Sequence, residues 1–209
     1  MEGEREVTRG ICYVAYGDKA LNECAQSLET LRWYHKKLPV TVISDKSHAL
    51  HADYKHAQSV DAGGRWAKLN LDTWSPYDET LYIDADTRIR ERLDVLFQSL
   101  EDGYEFVIVP SNNQSAGNLL WHVSEGERET TYDEVGYTPL QLQGGVFAFR
   151  KTDAVLALFE AWREEWERYK DQDQGALLRA IHRVPVRYRL LGRPFNGTTV
   201  IQHLFGRCR

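Results

Sequence analysis

The sequence predicts an α/β fold, a single domain with a mostly parallel central sheet flanked by helices. Three observations carry this: short unbroken apolar runs, helical-period stretches between them, and carboxylates at the end of one apolar run. The chain has 209 residues, enough for one cored domain and too few for two. Hydrophobic residues make up 42% and charged residues 27%, the ordinary range for a chain that buries a core.

The first apolar run, Ile11 to Tyr16, reads as a strand buried on both faces. Gly17-Asp18 ends it, and Leu21, Cys24, Ala25, Leu28 and Leu31 then recur at helical spacing. The helix stops before Leu38-Pro39, and Val40 to Ser44 supplies a second strand. Strand, helix and strand in so short a span make a βαβ unit, whose right-handed crossover sets the two strands parallel. A helix over Arg65 to Trp74, a strand over Leu81 to Asp84, a helix over Leu93 to Leu100 and a strand over Phe106 to Val109 continue the alternation.

From Ser111 to Leu142 the periodicity fails and carboxylates accumulate, so residues 111–142 read as a long polar connection, a lid or acceptor loop. Val146 to Phe149 resumes the sheet. Thr152 or Asp153 caps a helix carrying Val155, Leu158, Phe159, Trp162, Trp166 and Tyr169 as a core face. A helix from Asp171, a strand around Val184 to Tyr188 and a loop-rich tail complete the chain.

Charge and cysteine content narrow the function. Lys and Arg number 26 against 31 Asp and Glu, a net charge of −5 that disfavours phosphate-gripping nucleic-acid binding. Arg179, Arg183, Arg187, Arg189 and Arg193 could form a basic patch for a nucleic-acid acceptor, a reading that a solvated arginine-rich surface outweighs. No run reaches the roughly 18 apolar residues of a membrane span, and the N-terminus is charged, which together point to a cytoplasmic protein. Cys12, Cys24 and Cys208 lack chelating or pairing spacing; the first two read as buried small residues. His48, His51 and His56 likewise lack such spacing and read as surface residues.

The chemistry-bearing stretch is Leu81-Tyr82-Ile83-Asp84-Ala85-Asp86-Thr87, an apolar strand running into two carboxylates one residue apart. Open α/β sheets bind ligands at strand C-terminal ends, and paired carboxylates that turn together attract a hard divalent cation. Taken alone, the tripeptide is equally a structural cap. His203, between apolar neighbours in Val200 to Gly206, reads alone as a core histidine and with Asp84 and Asp86 as a third ligand. Arg65 and Lys68 share one helix face upstream, where they either steady phosphates or face solvent. Gln143-Gly144-Gly145 sits just before a strand, a backbone suited to close approach or to a plain turn. Asp171-Gln172-Asp173-Gln174-Gly175 opens a helix, where the groups either cap it or bond sugar hydroxyls.

These motifs, in this order and over nearly the whole chain, resemble GT-A glycosyltransferases, and more closely the retaining family 8 group with glycogenin and bacterial lipopolysaccharide glycosyltransferases. The matching elements are Ala15-Tyr16-Gly17-Asp18, Arg65 and Lys68, LYIDADT, QGGVFAFRK, DQDQGALL and IQHLFG. The resemblance implies a hexosyltransferase that moves a sugar from a UDP-linked donor to a hydroxyl acceptor with retention. It implies that Asp84, Asp86 and His203 hold Mn²⁺ or Mg²⁺ on the donor diphosphate, with Arg65, Lys68 and Ala85 beside it. Ala15, Tyr16 and Asp18 would receive the nucleoside, while Gln143, Gly144, Gly145, Asp171 and Gln172 would line the sugar and acceptor side. Lys68, Asp171 and Gln172 are the implied catalytic residues. Two rivals stand beside this reading: a non-catalytic nucleotide-sugar binding module, and a sugar-1-phosphate nucleotidyltransferase, whose glycine-rich basic loop is missing from Gly17 to Asn22.

Overall fold

In the computed structural model, which describes residues 6–57, 63–111, 120–136 and 140–205, the apolar runs become one seven-stranded sheet. The elements in chain order are β1 (Arg9–Val14), α1 (Gly17–Tyr34), β2 (Val40–Ser44), β3 (Tyr54–Ala57), α2 (Gly63–Leu69) and α3 (Leu71–Trp74). Next come β4 (Glu79–Ile83), β5 (Thr87–Ile89), α4 (Asp94–Glu101), β6 (Phe106–Pro110), α5 (Glu125–Val135) and β7 (Leu142–Arg150). The last are α6 (Asp153–Glu167), α7 (Asp173–Arg183), β8 (Tyr188–Leu190), a 3₁₀ turn (Arg193–Asn196) and β9 (Ile201–His203). The sheet order is β3-β2-β1-β4-β7-β6-β8, with β7 antiparallel to both neighbours and every other pairing parallel.

Continuous apolar strands are needed because both sheet faces are covered, and strand alternation sorts their side chains into two cores. Ile11, Tyr13, Val40, Val42, Leu81, Ile83, Val107 and Val146 pack with α1 and α4 residues such as Leu28 and Leu96. Cys12, Val14, Ile43, Tyr82, Phe106, Ile108, Phe147 and Phe149 pack on the other face with Leu158, Phe159, Trp162 and Leu177 of α6 and α7. Thr152 caps α6, its hydroxyl accepting the Val155 N–H. Cys12 and Cys24 are buried free thiols; Cys208 lies outside the described residues. No helix among the described residues is long and apolar enough to cross a membrane.

Several boundaries differ from those the sequence predicts. The stretch from Arg65 to Trp74 is two helices, α2 and α3, broken at Asn70. The paired glycines lie inside β7 rather than ahead of it, and the strand predicted around 184–188 sits at 188–190. The tail carries β9, which pairs with β5, and His56 belongs to β3 rather than a loop. Within 111–142 lies a regular helix, α5, capped by the Ser124 hydroxyl at the Glu127 N–H. Its buried face holds Glu127 and Thr131 instead of apolar residues, so it has no apolar period to read.

Candidate active site

The DxD carboxylates converge because the chain turns between β4 and β5. Asp84 N–H is held by the Gly145 carbonyl (2.8 Å), and Thr87 Oγ1 donates to the Asp84 carbonyl (2.9 Å). β9 then pairs antiparallel with β5, setting His203 opposite Thr87, and Leu204 N–H bonds the Asp86 carbonyl (2.9 Å). His203 Nε2 consequently lies 3.1 Å from Asp86 Oδ1 and 3.7 Å from Asp84 Oδ2, and the three ligand atoms lie within 4.8 Å of one another.

Neighbouring side chains orient each ligand. His203 Nδ1 is 2.6 Å from Oδ1 of buried Asn196, so donation there leaves the Nε2 lone pair facing the carboxylates. Tyr82 donates to Asp84 Oδ1 (2.5 Å), with Lys68 Nζ 3.4 Å from the same oxygen, which leaves Oδ2 on the His203 side. Two carboxylate oxygens and one imidazole nitrogen form a donor set that fits a divalent cation of the Mn²⁺ or Mg²⁺ type.

Behind the DxD, Lys68 lies buried with its ammonium 2.7 Å from Asp173 Oδ2. Burial alone would lower its pKa, but Asp173 and Asp84 outweigh that and raise it. Burial likewise pushes Asp173 up, and Lys68 more than reverses it, so the pair is ionised. The glycines of Gln143-Gly144-Gly145 now have a reason. A Cβ on Gly144 would stand 2.9 Å from Asp173 Oδ2, and one on Gly145 would stand 2.5 Å from His203 Cε1 and 2.7 Å from Asp84 Oδ2. Each glycine gives up its side-chain space to a site residue. Gln143 is buried and accepts a hydrogen bond from Gln174 of α7.

A cavity of about 510 Å³ opens in front of the carboxylates, lined by Val14, Tyr16, Lys19, Arg65, Asp84, Ala85 and Asp86 among others. Arg65 is exposed there and makes no hydrogen bond or ion pair to a described residue. Ala15 is wholly buried in the strand end beneath, its N–H bonded to the Ile43 carbonyl (2.8 Å). Asp18 is exposed and paired with Lys46. Asp171 and Gln172 are half-buried just ahead of α7, and Gln172 Nε2 donates to Asp171 Oδ1 (3.2 Å).

The structure also gives roles to residues that the sequence reading left without one. Asp173, rather than Asp171, bonds Lys68, because α7 begins at 173 and turns that side chain inward. Asn196 and Tyr82 act through the ligands they touch. His122, half-buried, feels the charges of Asp173, Asp171, Arg65 and Arg128, and burial holds its pKa below the ordinary imidazole value. The arginines of the supposed basic patch are engaged: Arg179 is buried against Glu127 and Glu165, Arg183 pairs with Glu164 and Glu165, and Arg189 pairs with Asp102.

No protein-family model and no curated protein matches this sequence. Solved structures do match the fold. The galactosyltransferase LgtC in complex with donor and acceptor sugar analogs aligns with a TM-score of 0.62 at 15% identity, over 88% of this chain and 73% of its own. An active-site mutant of LgtC gives 0.65 at 14%, over 94% and 87%. Mouse xyloside xylosyltransferase 1 gives 0.63 at 11%, over 97% and 99%. At these identities the likeness is one of architecture: the chain has the fold of the GT-A glycosyltransferases.

Proposed function

We propose that the chain is a metal-dependent hexosyltransferase that moves a sugar from a UDP-linked donor to a hydroxyl acceptor with retention. The observation that carries this reading is the convergence of Asp84, Asp86 and His203, the two carboxylates lining the cavity that Tyr16 and Arg65 also line. A divalent cation held there supplies electrostatic stabilisation of the negative charge that grows on a departing diphosphate.

The remaining roles follow from what each side chain can do. Tyr16, with Ala15 and Asp18 behind and beside it, offers the strand-end face for the nucleoside. Arg65 brings a guanidinium with no partner among the described residues to the phosphates. Lys68, fixed between Asp84 and Asp173, places a permanent positive charge behind the site, preorganised before any substrate enters. Gln143, Gly144 and Gly145 back the sugar side, the two glycines leaving room for Asp173, His203 and Asp84 to reach the site. Asp171 and Gln172 hold ring hydroxyls and oppose the positive charge that develops at the anomeric carbon.

The test is UDP release from a panel of UDP-hexoses with Mn²⁺ or Mg²⁺, compared with Asp84→Asn. Metal-dependent release that the variant lacks is the expected result. UDP binding without release would reassign the chain as a binding module, and unchanged turnover in the variant would remove the metal site from the mechanism.

A further inference from the structure

The short turn between residues 120 and 123 is built like a ligand contact. Leu120 is fully buried at a positive φ of 52°, a conformation unfavourable for a leucine, and Gln141 Oε1 holds its N–H at 2.8 Å. Val123 is buried too, and both pack on Leu178 of α7. A strained residue persists only where its surroundings over-determine it. Between these anchors Trp121 is turned outward while His122 stays half-buried. Trp121 is 61% exposed, a large apolar ring kept in water, and stands edge-on to His122 with centroids 5.8 Å apart. His122 Nε2 is buried without a hydrogen-bond partner among the described residues. Buried ring nitrogens are ordinarily satisfied, and no described residue supplies this one with a partner.

We infer that Trp121 and His122 form the acceptor subsite and that its ligand is a pyranose glycoside. This rests on the proposed glycosyl transfer. A pyranose presents a C–H face and a rim of hydroxyls, the two surfaces that an exposed indole and an imidazole nitrogen match together. Gln141, which holds the Leu120 N–H, reaches Gln174 (3.5 Å), the residue after the Asp173 that pairs with Lys68. The turn therefore borders the start of α7 beside the reacting centre, and His122 lies within the field of Arg65, Asp171 and Asp173. Trp121 covers the acceptor ring face, and His122 Nε2 bonds one of its hydroxyls.

The test has a binding arm and a kinetic arm. Methyl glycosides of glucose, galactose and xylose are titrated against the full chain with saturation-transfer NMR, using wild type, Trp121→Ala, Trp121→Phe, His122→Ala and His122→Gln. Calorimetric affinity for UDP with Mn²⁺ serves as the check on folding. At least one glycoside should bind wild type and lose tenfold or more in affinity in both alanine variants. Trp121→Phe and His122→Gln should recover part of that loss, and UDP affinity should stay within twofold. Where transfer is measurable, the acceptor KM should rise tenfold with donor KM little changed. Equal glycoside affinity in wild type and both alanine variants, or no glycoside binding to wild type, overturns the subsite. Glycoside binding that depends on Trp121 without any UDP release from UDP-hexoses would instead overturn the transferase reading and leave a carbohydrate site standing.

Discussion

Two clusters of charge meet α7, one through Arg179 and one through Asp173, and they are balanced differently. On one side, Arg179 is 1% exposed and bonds Glu165 (2.9 Å), Glu127 (3.2 Å) and Thr131 (2.6 Å). Glu165 also receives Arg168 (2.6 Å) and Arg183 (2.5 Å), and Arg168 reaches Glu134 (2.7 Å). Guanidinium and carboxylate are matched within the chain, and the network docks α5 on α6 and α7. On the other side, Asp84 and Asp173 share one ammonium, that of Lys68, and His203 Nε2 is turned toward Asp84 and Asp86. That surplus of acid is what a cation from outside would balance. The first cluster does structural work, and the second is left incomplete in a way that invites a ligand.

Removing a cation from the matched network should produce the largest loss of stability. Arg179→Met leaves Glu127 and Glu165 facing each other in the interior, and breaking a buried pair from one side costs about 3–5 kcal/mol. A fall of that size in the urea-unfolding free energy is expected. The unmatched cluster should respond in the opposite sense. Asp84→Asn removes a like charge, so the melting temperature without metal should hold or rise, while UDP release falls by about 10³-fold, the scale of losing a principal electrostatic contact in the reaction. If Asp84→Asn destabilised the metal-free chain as Arg179→Met does, the contrast between the clusters would collapse.

A finer break acts on orientation alone. Asn196→Ala removes the acceptor for His203 Nδ1–H without touching a ligand atom. Mn²⁺ affinity, read from the free-ion electron paramagnetic resonance signal, should weaken about 10–100-fold, the usual effect of losing such a partner. An unchanged affinity would mean that the β5–β9 pairing suffices to aim the ring.

The same contrast marks what sequence alone conveys. Both-face burial writes itself as ICYVAY, VTVIS, LYID and FVIV, so the sheet and its order of helices were readable, as were Asp84, Asp86 and His203 as a set. α5 was hidden because its buried face is Glu127 and Thr131, satisfied by an arginine some fifty positions on. Which Asp of DQDQG turns inward depends on where α7 starts, and that is decided by tertiary contact with Lys68. Asn196 and His122 matter only through neighbours brought close by β9 and by the 120–123 turn. The glycine pair was readable as a place of close approach, but that the approaching groups are the side chains of Asp173, His203 and Asp84 was not.

The smallest expected effect separates the two carboxylates of the matched network. Burial pushes Glu127 above the ordinary Glu value, with Arg179 only partly offsetting it, and Glu127 Oε2 is buried without a partner among the described residues. Glu165 is held below that value, because hydrogen bonds from Arg179, Arg168 and Arg183 outweigh its burial. Linkage then gives opposite signs. The raised Glu127 contributes stability that is present below the unfolded pKa of about 4.3 and is lost as pH rises through its folded value. The depressed Glu165 contributes stability present above about pH 4.3 and lost as pH falls through its folded value. At pH 7, Glu127→Gln should therefore hold or slightly raise the urea midpoint, with the difference from wild type vanishing in acid. Glu165→Gln should lower the midpoint at pH 7 and flatten the acid side of the curve. The same sign for both variants would mean that Arg179 is shared equally between its two partners.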